Sequence, residues 1–160
     1  MITGRQKRSN YELIRNMKVR IYKADLPDEG MELPLVGKIA AGFASPAEDY
    51  TNETIDINRL IVKNKDYTFF AKIEGTSMID ACLYDGDIVV IDRSLEPKNN
   101  DKVVVFVDGE FTIKFVSVDK DTNRVWLVPA NAEFPKIEVL ETSDLRIWGV
   151  VTFTITKHRG

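Results

Sequence analysis

The segment Lys102-Val-Val-Val-Phe-Val-Asp-Gly-Glu-Phe-Thr-Ile-Lys-Phe-Val-Ser-Val118 sets two apolar runs, rich in β-branched and aromatic residues, on either side of Asp108-Gly109. It predicts two strands, Lys102–Val107 and Glu110–Val118, joined by a tight turn, because Gly takes the positive φ that such hairpins require. Working outward, similar short runs bounded by turn residues recur at Leu33–Ala40, Tyr67–Ile73, Asp87–Ile91, Arg124–Val128 and Leu145–Thr156. One short helix is expected to begin near Ser77. The chain therefore reads as a mostly β protein of twisted sheets with one short helix, free of internal repeats and low-complexity tracts.

At 160 residues and 44% hydrophobic content, one domain can bury roughly two-thirds of its unfolded surface. The net charge of −3 argues against a domain that holds nucleic acid through phosphate contacts, and favours a protein partner. Cys82 is the only cysteine, so no internal disulfide can form, and no zinc spacing is present. Asp80, Asp85, Asp87 and Asp92 crowd together but read as turn residues around Gly86, without the spacing of a calcium loop. No metal and no cofactor is expected. The polar start and the lack of a long apolar run predict neither a signal peptide nor a membrane span, which points to the cytoplasm.

The charge is unevenly placed. Arg5, Lys7, Arg8, Arg15, Lys18 and Arg20 meet only Glu12 among the first twenty residues. This basic arm has room for one short helix, opened by a capping box at Ser9-Asn-Tyr-Glu12, and then a linker from Ala24 to Gly30. It is too small for a helix-turn-helix, so direct sequence-specific DNA binding is not expected; a plain solvated tail is the blander reading.

Few residues can carry chemistry. His158 is the sole histidine and lies near the C-terminal end, a poor place for a triad base. A serine can instead be activated by a desolvated, neutral lysine. Ser77 stands in Lys72-Ile-Glu-Gly-Thr-Ser-Met-Ile-Asp80, where a strand breaks at Gly75 and a helix is expected to start. Such a turn exposes a side chain beside free N–H donors. The same pattern fits a helix cap with Asp80 completing a capping box. Lys114 lies on the second hairpin strand, with Phe111, Ile113 and Phe115 on one face and Val116 and Val118 sharing its own. Burial and a lowered pKa would suit a general base, whereas a lysine guarding an edge strand is the alternative.

Together, Ala40-Ala-Gly-Phe-Ala-Ser-Pro46, Gly75-Thr-Ser-Met-Ile-Asp80, Tyr84-Asp-Gly-Asp87 and Asp108-Gly-Glu-Phe-Thr-Ile-Lys114 resemble, in order and spacing, the LexA/UmuD family of self-cleaving proteins. The likeness runs from about Leu33 to Thr156. It implies a serine endopeptidase with a Ser-Lys dyad, Ser77 as nucleophile and Lys114 as base, that cuts its own Ala41–Gly42 bond. Backbone N–H groups of Thr76, Ser77 and Met78 are the candidate oxyanion donors. The chain would then divide into an N-terminal arm, residues 1–41, removed by self-cleavage, and a β-rich peptidase and dimerisation domain, residues 42–160.

The short arm makes the UmuD branch the nearer likeness, although that branch often carries Cys-Gly at the cut and Ala41-Gly42 matches the LexA version. The arm, at about forty residues, is also longer than is typical there. The resemblance further implies a homodimer, cleavage stimulated in the SOS response by RecA filaments on single-stranded DNA, and a trimmed dimer that joins a UmuC-type DNA polymerase for error-prone translesion synthesis. Alternatives are a LexA-like or phage-type repressor fragment, a signal peptidase, disfavoured by the missing anchor, or a non-catalytic dimeric interaction module.

Overall fold

In the computed structural model, the described residues are 19–23, 30–35, 54–107, 109–140, 142 and 144–159. The expected capping box at Ser9, most of the strand expected over Leu33–Ala40, and both Ala41 and Gly42 lie outside them. Two compact units are distinguished: one holds residues up to Ala24 together with Asn64 onward, the other spans Asp25–Lys63.

Alternating and continuous β-branched runs give the larger unit its strands: β1 (Val19–Lys23), β4 (Thr68–Ile73), β5 (Ile88–Asp92), β6 (Lys102–Val107), β7 (Glu110–Val118), β8 (Val125–Val128), β9 (Ile137–Val139) and β10 (Leu145–Ile155). They form one antiparallel sheet in the order β1-β4-β5-β10-β6-β7-β8-β9. The β6–β7 hairpin closes with Val107 opposite Glu110, and Gly109 has φ 83°, as the Asp-Gly pair predicts.

The last strand joins two halves of this sheet. β10 pairs with β6 through Leu145–Val150 and with β5 through Val150–Ile155, slipping register between Ile147 and Gly149 and again between Val151 and Phe153. Each slip is a bulge that bends the strand and lets the sheet curl. At Gly149 a Cβ would lie 2.6 Å from Ile91 Cγ2 and 3.3 Å from the Asp92 carbonyl oxygen, so the bend needs a residue without a side chain.

Two apolar clusters result. Ala71, Ile73, Met78, Leu83, Ile91 and Ile113 belong to one, and Val103, Val105, Val116, Leu127 and Val150 make the other. β6 feeds both, Val104 to the first and its neighbours to the second, which explains why its sequence is a continuous run rather than an alternation.

The smaller unit pairs β2 (Glu32–Pro34) with β3 (Thr54–Asp56), followed by α1 (Ile57–Ile61). Asp56 starts this helix by accepting hydrogen bonds from the Asn58 and Arg59 amides at 2.9 and 3.3 Å. The helix expected near Ser77 is instead a single 3₁₀ turn, Ile79–Ala81, preceded by Met78 with no side-chain cap. No helix among the described residues is long and apolar enough to cross a membrane.

Candidate active site

The turn that carries Ser77 is anchored on both sides by backbone. After β4, the Asp85-Gly86-Asp87 turn takes up the loose ends: Asp85 Oδ1 accepts from the Gly75 amide at 2.9 Å, and Asp87 Oδ2 accepts from the Tyr84 amide at 2.9 Å. Gly75 has φ 105° and Gly86 φ 88°, conformations in which a side chain would be strained. On the far side, the Ala130 amide donates to the Ser77 carbonyl at 3.0 Å, and the Asp80 amide donates to the Ala130 carbonyl at 2.9 Å. Asn131 Nδ2 adds a bond to the Thr76 carbonyl at 3.1 Å. These bonds fix the peptide planes on either side of Ser77. Its hydroxyl is thereby turned inward, which is why it caps no helix.

Lys114 projects from β7 onto the same point. Its Nζ lies 3.0 Å from Ser77 Oγ, 2.9 Å from Thr112 Oγ1 and 2.8 Å from the Ile113 carbonyl oxygen, donating to all three when protonated. Lys114 is 1% exposed and Ser77 and Thr112 are each 2% exposed. β7 lies between β6 and β8, so the edge-strand role open to Lys114 in the sequence does not apply. No salt bridge to Lys114 is present among the described residues. Burial alone pushes its pKa from 10.5 down to about 8, since the charged form loses water and gains no counter-charge.

The geometry has a chemical consequence. A neutral amine has two N–H donors and one lone pair, disposed tetrahedrally. With Thr112 Oγ1 and the Ile113 carbonyl accepting those two protons, the lone pair of neutral Lys114 faces the Ser77 hydroxyl. Such an arrangement can draw a proton from a serine.

Sequence reasoning thus named two side chains, 37 positions apart, that the fold brings together. Thr76 and Met78 flank Ser77 in the anchored turn, while the Ala41–Gly42 bond is outside the described residues. Thr112 was missed, although its place two residues before Lys114 puts it on the same strand face. Asn131 carries no local signal, because its role depends on a contact 55 residues away. Asp92, like Asp85 and Asp87, serves a turn, accepting from the Ser94 amide and hydroxyl.

Fold and site together define a β-sheet protein with a buried serine and lysine in contact. A family model described as Peptidase S24-like matches residues 34–152, and the chain belongs to that family. Among curated relatives, Protein MucA of Salmonella typhimurium is 33% identical over 144 residues, covering 89% of this chain and 97% of its own. Protein SamA of Salmonella typhimurium is 40% identical over 119 residues, 74% of this chain and 81% of its own. The LexA repressor of Desulfatibacillum aliphaticivorans is 35% identical over 145 residues, 89% of this chain and 70% of its own.

Proposed function

We propose that this chain is a self-cleaving serine peptidase that hydrolyses its own Ala41–Gly42 bond. The observation that carries the reading is the 3.0 Å contact between Lys114 Nζ and Ser77 Oγ in a site closed to solvent. In the attacking state the Ala41 carbonyl carbon comes within about 3–3.5 Å of Ser77 Oγ. Lys114 takes the hydroxyl proton as Oγ bonds to that carbon. The oxyanion is met by backbone N–H groups at Ser77 and its neighbours Thr76 and Met78. The peptides that carry the Ser77 and Met78 N–H groups are both held in place, through the Thr76 carbonyl by Asn131 and the Ser77 carbonyl by Ala130.

Protonated Lys114 then gives its proton to the Gly42 nitrogen as the C–N bond breaks. Water, deprotonated by the same amine, hydrolyses the ester to restore the Ser77 hydroxyl and leave the Ala41 carboxylate. Gly42 suits the cut because it allows close backbone approach; a β-branched residue there blocks it.

The likeness to the LexA/UmuD family supports a setting for this reaction: a homodimer in the SOS response, stimulated by RecA filaments on single-stranded DNA, whose trimmed form serves a UmuC-type polymerase in translesion synthesis. The filament need only favour docking of the cleavage segment, a population shift of a few kcal/mol.

The test is to incubate purified chain and its Ser77→Ala variant and sequence the N-terminus of any product. A fragment beginning at Gly42, absent from the folded variant, is expected. A different first residue moves the site, and cutting by the folded variant overturns the assignment of Ser77.

A further inference from the structure

β1 belongs by sequence to the segment ahead of Gly42 and by pairing to the main sheet. Val19 through Lys23 match Ile73 through Phe69 in an unbroken antiparallel register. β1 ends the strand order, so without it β4 would itself present an unpaired edge. The attachment is light. Ile21 packs on the cluster of Ala71, Ile73 and Met78, Arg20 Nε lies 3.8 Å from Glu74 with its side chain 73% exposed, and Tyr22 is 56% exposed. Among the described residues, such a strand is held by its ladder, by Ile21, by its contact with β7 and by its covalent connection. That connection keeps it at high effective concentration next to β4.

We propose that the β4 edge is a strand-acceptor site, filled by β1 in the intact chain and opened when the Ala41–Gly42 bond is cut. The occupant that then replaces β1 is an extended segment of a partner protein. Its chemistry is dictated by what β1 satisfies: a cation facing Glu74, a β-branched aliphatic residue on the Ala71–Met78 cluster, then an aromatic or other amphipathic residue facing solvent. Main-chain bonds supply affinity in such strand addition, and alternate side chains supply selectivity. The opening step rests on the proposed self-cleavage; the acceptor itself does not.

The two parts are separated by experiment. In the uncleavable Ser77→Ala chain, deuterium uptake over residues 68–73 is followed with and without Ile21→Asp. The added substitution should speed uptake at least tenfold, and excess synthetic peptide Met-Lys-Val-Arg-Ile-Tyr-Lys-Ala-Asp, the sequence of residues 17–25, should restore protection where a scrambled peptide does not. Unchanged uptake, or no restoration in a variant that still melts cooperatively, overturns the acceptor; Ile21→Ser replaces Ile21→Asp if the latter fails to fold. Wild type that has cut itself should show the same faster uptake. Protection retained after the cut and dilution overturns the opening step, whereas a wild type that never cuts overturns the cleavage reading and leaves the first measurement standing.

Discussion

At Lys114, one buried amine carries both the proposed reactivity and part of the cost of this fold. With a pKa of about 8, roughly a tenth of the molecules carry the neutral base at pH 7. Self-cleavage is therefore expected to rise about fivefold from pH 7 to 8 and about tenfold in all before levelling off near pH 9, when followed by gel in a fold monitored by circular dichroism. Stability follows the opposite protonation state. The folded pKa is below the unfolded 10.5, so between about 8 and 10.5 the unfolded chain binds more protons and stability rises with pH. Below about 8 the buried cation is carried in full, at about 3 kcal/mol. Lys114→Met should abolish cutting and flatten this rise, with urea unfolding at pH 7 and 9.5 as the measurement. Thr112→Val removes one of the two acceptors that orient the amine; it should slow cleavage roughly 10–100-fold while the protein stays folded. These contacts were partly legible. The apolar neighbours of Lys114 made burial one of two readings, a lysine guarding an edge strand being the other, and nothing short of three dimensions shows which oxygen atoms receive its protons.

Among the elements, β4, β5, β6, β7, β8 and β10 were readable because each is an apolar run bounded by turn residues. β3 and β9 are three residues long, too short for any periodicity. β1 reads as part of a basic arm, because Arg20 and Lys23 interrupt its apolar residues. The helix expected at Ser77 is a single turn: the hydroxyl that would cap it is turned inward onto Lys114, which forgoes a cap worth ~1 kcal/mol. α1 was overlooked, although Asp56 is a favoured N-cap. Gly149 tests the bend of β10: Gly149→Ala should cost about 1–3 kcal/mol, read as a lowered melting temperature, since a methyl group would press on Ile91 and the Asp92 carbonyl.

For the molecule as a whole, composition hides a polarity. Residues 1–41 hold 8 Lys and Arg against 5 Asp and Glu, net +3, which leaves −6 on the remainder of a chain whose total is −3. Cleavage should thus convert a mildly acidic protein into a strongly acidic body and a basic fragment, and the body should elute later than the intact chain from an anion-exchange column at pH 7. The single β class was legible from turn spacing alone. The contact of Ser77 with Lys114 was not, since it joins residues from opposite sides of β10 in the strand order.

That strand also imposes an order in time. Ser77 follows β4, in the β1-β4-β5 half of the sheet, Lys114 lies on β7 in the other half, and among the described strands only β10 is hydrogen-bonded to both halves. β10 is also the last of these strands to leave the ribosome. In a nascent chain β4 and β7 are therefore complete before the strand that is hydrogen-bonded to both halves, so the proposed self-cleavage is expected only once β10 has been synthesised and paired, and a ribosome-bound chain stalled before Leu145 should stay uncut.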